Sequence, residues 1–102
     1  MKSKQRHPAE AFPVIEFIRD EAKARRWSMW EVAHRMGGDA SRNKLALEII
    51  EADPTVFLGH KGAWQLAQAF GTSAKVWLNL ERSWRRFKGL PLRIPPPARS
   101  DE

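Results

Sequence analysis

Ser41, Arg42, Asn43 and Lys44 stand in a row, and such a run at the opening of a helix forms an edge that can read DNA bases. Arginine or lysine meets the acceptors of guanine, and asparagine pairs bidentately with adenine. Arg42 and Lys44 can equally be solvated residues of a helix start. Other residue types capable of chemistry are not arranged for it. His7, His34 and His60 lie far apart in a chain without cysteine and form no His-x-x-x-His pair, so a metal site is not expected. Glu16, Asp20 and Glu21 have the spacing of a wet helical face rather than of a catalytic pair. No nucleophile with a base visible beside it, no glycine loop to cradle phosphate and no nucleotide fingerprint occurs. The expectation is a protein with no enzymatic activity, metal or cofactor.

Five helices must position that edge. The first follows Phe12-Pro13, with Val14, Ile15, Phe17, Ile18 and Ala22 on one face and Lys23, Arg25 and Arg26 at its negative end. Ser28-Met29-Trp30-Glu31 is a capping box: the serine side chain takes the backbone N–H of Glu31, and Glu31 reaches back. It opens a short second helix, Ser28 to Met36, which buries Val32, Ala33 and Met36 and stops at Gly37-Gly38. Asp39 or Ser41 caps a third helix to about Ala52, with Leu45, Leu47, Ile49 and Ile50 as its apolar residues, and Asp53-Pro54 ends it. After a loop to His60, a fourth helix carries Trp64, Leu66, Ala67 and Phe70. Gly71 closes it in the left-handed conformation, and Ser73 or Thr72 caps the fifth. There Val76, Trp77, Leu80, Trp84 and Phe87 form a stripe while Lys75, Glu81, Arg82, Arg85 and Arg86 stay wet. Trp64, Trp77 and Trp84 are expected in the core or at a dimer interface, and Trp27 and Trp30 are not assigned.

The chain has 102 residues, 42% of them hydrophobic, which suits one small helical domain and is too short for two. No apolar run is long enough to cross a bilayer, and the basic start leads into His7-Pro8 and a helix broken by charges. The expectation is a soluble, cytoplasmic protein, which the absence of cysteine fits. The net charge of +6 favours an anionic partner. Residues 41–72 are neutral, with Arg42, Lys44 and Lys61 against Glu48, Glu51 and Asp53. From 73 onward Lys75, Arg82, Arg85, Arg86, Lys88, Arg93 and Arg99 outweigh Glu81, Asp101 and Glu102.

The segment LAQAFGTSAKVWLNLERSW, within Trp64 to Phe87, resembles the end of the helix-turn-helix domain of HigA-type antitoxins, the plasmid-maintenance antidote proteins of the lambda-repressor-like (XRE) class. The resemblance extends over most of His7 to Phe87. His7-Pro8 with Glu10 echoes the family's HPGE opening, and Trp27-Ser28 through Gly37 echoes its GLSQxELAxxLG segment. The middle departs: where relatives carry a polar run such as VSRPTISRLLNG, this chain has GDASRNKLALEIIEAD, several residues longer. Glu48 and Glu51 would there face phosphates badly, and Met29 replaces a glutamine used for a backbone contact.

The resemblance implies an all-α, five-helix lambda-repressor-like helix-turn-helix domain at 13–88, after an N-terminal arm at 1–12 and before an extended or disordered Pro-rich tail at 89–102. In such domains the second helix crosses the phosphate backbone and the third enters the major groove. It implies a homodimeric repressor that binds its own operator and silences a ribonuclease toxin by contact. Helix starts, Ser28 among them, and basic side chains such as Lys61 would neutralise phosphates, while Ser41 to Lys44 would carry base reading. Trp77, Leu80, Trp84 and Phe87 would form the dimer or partner surface. In the tail, Leu90, Leu92 and Ile94 alternate with Pro91 and Arg93 before Pro95-Pro96-Pro97, as a frayed end or as an arm packed on a partner subunit or toxin. Two other functions stay open: a protein-interaction module on this scaffold without operator reading, and a free-standing phage or plasmid repressor.

Overall fold

A computed structural model describes residues 12–92, and all regular structure among them is helical. The N-terminal residues 1–11, with His7, and the tail residues 93–102, with Ile94 and the proline run, lie outside the described residues. Pro13 precedes α1 (Val14–Ala24), whose Val14, Ile15, Ile18 and Ala22 are buried. The helix ends through Arg26, a non-glycine residue with φ 61°. That left-handed turn lets the Trp27 N–H reach the Ala22 carbonyl at 2.8 Å, satisfying one of the helix's last acceptors.

Ser28 caps α2 (Met29–Arg35), its Oγ accepting from the Glu31 N–H at 3.1 Å. The return half of the capping box is not made, because the Glu31 carboxylate is held by Arg35 Nε at 2.7 Å, one turn on. Gly37 and Gly38, with φ of 85° and 75°, then turn the chain into α3 (Ala40–Ala52). Gly37 also faces α4 closely, since a Cβ there would stand 2.8 Å from Gln68 Nε2. The cap of α3 is Asp39, not Ser41: Asp39 Oδ1 accepts from the N–H groups of Ser41 and Arg42 at 2.9 and 3.2 Å.

Gly71, with φ 72°, closes α4 (Gly59–Phe70). The two hydroxyls that follow divide the work. Ser73 Oγ caps α5 (Ala74–Lys88) by accepting from the Val76 N–H, while Thr72 Oγ1 takes the indole N–H of Trp77 at 2.7 Å. Trp27 stacks on Phe70 and Phe70 packs at a tilt on Trp77, with ring centroids 5.5 Å apart at each step, joining the α1–α2 turn, the end of α4 and the start of α5. Trp77 is only 2% exposed, and a ring of that size takes roughly 200 Å² out of water. Around this stack Ile18, Val32, Ala33, Ala63 and Leu66 complete the core, with α2 packed on α3 and α4, α4 on α5, and α1 on α2, α3 and α5.

Side-chain orientations differ from expectation in four places. Trp64, expected in the core or at a dimer interface, is 69% exposed and so is not core: Ala63, Leu66, Ala67 and Phe70 define the inward side of α4, which leaves Trp64 with Lys61 and Gln68 on the other. On α3, Leu47 is buried and Ile50 partly so, whereas Leu45 and Ile49 are 57% and 45% exposed. Phe87 is 56% exposed while Trp77 and Trp84 are buried, so the α5 stripe splits into a core part and a surface part. Arg85, expected in water, is 4% exposed. Its guanidinium donates to the Thr55 carbonyl at 2.8 Å and to the Pro91 carbonyl, and lies 3.7 Å from the centre of the Phe57 ring.

Candidate nucleic-acid interface

An open groove runs between the start of α3 and the outward side of α4, lined by Gly38, Asp39, Arg42, Lys61, Gln65 and Gln68. Arg42 and Lys61 are exposed and take part in no ion pair among the described residues. Two cations from separate helices therefore face one cleft. Gln65 and Gln68 were not singled out from sequence, where glutamines on a wet helical face carry no distinguishing signal.

The four-residue edge does not act as a unit. Ser41 and Arg42 are exposed. Asn43 is buried, and its amide is spent within the protein: Nδ2 donates to the carbonyls of Ala33 at 2.9 Å and Gly37 at 2.7 Å, and Oδ1 accepts from Gln65 Nε2 at 3.1 Å. The cause lies in α2. The Ala33 carbonyl in its last turn has no partner within the helix, the Gly37 carbonyl lies in the turn beyond it, and that short turn brings Asn43 close enough to supply both donors. Asn43 is thus a clamp across α2, α3 and α4, and the expectation that it pairs with adenine is corrected.

Lys44 is also engaged. Its Nζ lies 2.7 Å from Glu48 and 5.3 Å from the centre of the Trp30 ring, with the side chain 19% exposed. Glu51 pairs with Arg19 of α1 at 3.1 Å. Both carboxylates expected to repel phosphates are thereby matched to cations, although each stays near the surface, where such pairs add at most about 1 kcal/mol. Ser28 is exposed and its oxygen serves the α2 cap.

The tryptophans left open by the sequence are also placed. Trp27 is a packing residue, stacked on Phe70 with the Arg35 guanidinium 4.1 Å from its ring centre. Trp30 is half exposed, beside His34 and Lys44. Of the proposed partner surface, Trp77 and Trp84 are core, Leu80 is partly buried and Phe87 is open. Among the described residues no group of acidic or histidine side chains is placed to hold a metal ion, and no helix is long and apolar enough to cross a membrane.

No protein-family model, curated protein or solved structure matches this chain.

Proposed function

We propose that the chain is a lambda-repressor-like helix-turn-helix regulator that binds operator DNA as a homodimer and serves as the cytoplasmic antitoxin of a toxin–antitoxin pair. One observation carries the DNA half: Arg42 at the start of α3 and Lys61 on α4 bring unpaired cations to a single open groove next to the α2–α3 turn. Duplex DNA carries a dense row of phosphates, and neutralising it with lysine and arginine releases counterions, which supplies most of the affinity. Ser28, at the start of α2, adds a hydroxyl suited to a phosphate oxygen. With Asn43, Lys44 and Gln65 engaged internally, base reading falls to Ser41 and Arg42, joined by Gln68. The antitoxin half follows from the resemblance of Trp64 to Phe87 to the HigA family.

The test is repression of a reporter placed behind the DNA upstream of the gene. Replacing Arg42 and Lys61 by alanine should abolish repression and leave the thermal midpoint unchanged, since both side chains are exposed. Repression unchanged by the double substitution would count against the reading.

A second reading, an interaction module without operator reading, is favoured by one specific observation. Leu45 and Ile49 project from α3, along the side a reading helix would be expected to fill with polar groups. Leu45→Ser with Ile49→Ser separates the two. Loss of toxin neutralisation by this variant, in a chain whose parent gives no repression of the reporter, supports the interaction module, and loss of repression with neutralisation intact supports a DNA contact on α3.

A further inference from the structure

The outward side of α5 carries a pattern that neither the core nor the groove uses. Val76, Leu80 and Phe87 are spaced by four and seven residues, which places them along one helical line. Leu80 rests partly on the core, and Val76 and Phe87 stand out into solvent. Beside this line run Lys75, Arg82 and Arg86, all exposed and all without an ion pair among the described residues. The helix has one carboxylate, Glu81, and it is turned the other way to accept the Leu58 N–H. Arg85 is turned inward as well. The outward face is therefore an apolar line edged by cations, with no anion of its own.

We propose that this face docks an acidic amphipathic segment of a partner protein, whose apolar side covers Val76, Leu80 and Phe87 and whose carboxylates meet Lys75, Arg82 and Arg86. Charge complementarity selects this occupant over the others at hand. A second copy meeting the same face about a two-fold axis would set one basic row against another. Residues 1–11, with Lys2, Lys4 and Arg6 against Glu10, carry the wrong sign, and residues 93–102, with Arg93 and Arg99 against Asp101 and Glu102, carry no net charge. Nucleic acid would satisfy the cations but leave the apolar line in water. Helix-in-groove recognition of this kind uses apolar anchors at helical spacing, with charges on the flank fixing the partner. The proposal does not depend on the groove binding DNA, because α5 contributes no residue to that groove.

The test titrates a labelled synthetic peptide with the full chain by fluorescence anisotropy. The peptide is an amphipathic helix with leucine at three-to-four spacing and glutamate on the flanking positions. Saturable binding on the order of micromolar is expected, stronger at low salt. Arg82→Glu with Arg86→Glu should weaken it about tenfold or more, and Val76→Ser with Phe87→Ser by a similar factor. All four side chains are exposed, so the helical circular dichroism and thermal midpoint of both variants should match the parent. A peptide of the same composition with shuffled order should bind at least about tenfold more weakly. Absence of saturable binding, or equal binding of the shuffled peptide, overturns the proposal. So does finding that Val76→Ser with Phe87→Ser abolishes binding to phosphatidylserine vesicles, or self-association in sedimentation, while leaving the peptide affinity unchanged.

Discussion

The helices α3 and α5 sort their residues in opposite ways. On α5, Trp77 and Trp84 face inward and Lys75, Arg82 and Arg86 face outward, so the two large rings dominate the rotation of the helix, with Arg85 carried inward to donate to backbone carbonyls. On α3, Asn43 faces inward while Leu45 and Ile49 face outward. Its rotation also answers a polar requirement, donors for the Ala33 carbonyl of α2 and the Gly37 carbonyl in the turn after it. An unsatisfied buried acceptor costs about 1–3 kcal/mol, comparable to what burying a leucine or isoleucine gains. The donors at Asn43 therefore compete on equal terms with the two aliphatic side chains, and Leu47 and Ile50 already supply α3 with an apolar side.

Trp77→Ala gives the largest effect that bears on this contrast. It removes the centre of the aromatic stack and strands Thr72 Oγ1, with an expected loss of about 3–5 kcal/mol in urea unfolding. Leu45→Ala, also a large-to-small change but on the outward side of α3, should stay within about 0.5 kcal/mol. Equal losses at the two sites would contradict the assigned faces. Arg85→Ala should cost about 2–3 kcal/mol, through two charge-assisted hydrogen bonds to carbonyls and the lost packing on Phe57. Asn43→Ala should cost about 2 kcal/mol, and Asn43→Leu should restore none of it, because the Ala33 and Gly37 carbonyls need donors rather than volume.

Two smaller effects concern the turns that connect these helices. Arg26→Gly relieves a left-handed backbone and should raise stability by about 1 kcal/mol. Asp53, just past the end of α3, has its carboxyl held below the ordinary value, first by the Thr55 hydroxyl and then by the Thr55 N–H. A lowered folded-state pKa gives a contribution that is present above the unfolded-state value and lost as pH falls through the folded one. The parent should therefore exceed Thr55→Val in thermal midpoint at neutral pH, by the smallest margin of this set because the carboxylate is fully exposed. The gap should close at pH below the carboxylate range.

The order and ends of the helices were legible in the sequence because local chemistry marks them: Ser28, Ser73 and Gly71 each do what their types imply. The groove was half legible. Arg42 and Lys61 could be named, but that they share a cleft depends on how α3 sits against α4. Asn43 carried a weak signal, an amide in a helix interior where its propensity is poor, four residues past a cap and close after a glycine turn. Trp64 could have been placed from the period of Ala63, Leu66, Ala67 and Phe70, which excludes it from the inward side. Nothing local marks Arg85, since both of its carbonyl partners and Phe57 come from segments that meet it only in the folded chain.

Whether the α3–α4 groove binds operator DNA, as proposed, is decided by the affinity of the full chain for the DNA upstream of its gene across a series of salt concentrations. The parent should prefer that sequence over a shuffled duplex and lose affinity steeply with salt. Lys61→Ala should bind more weakly with a log–log salt slope reduced by about one. A complex with no sequence preference, or one whose affinity and salt slope are unchanged by Lys61→Ala and Arg42→Ala, would contradict it.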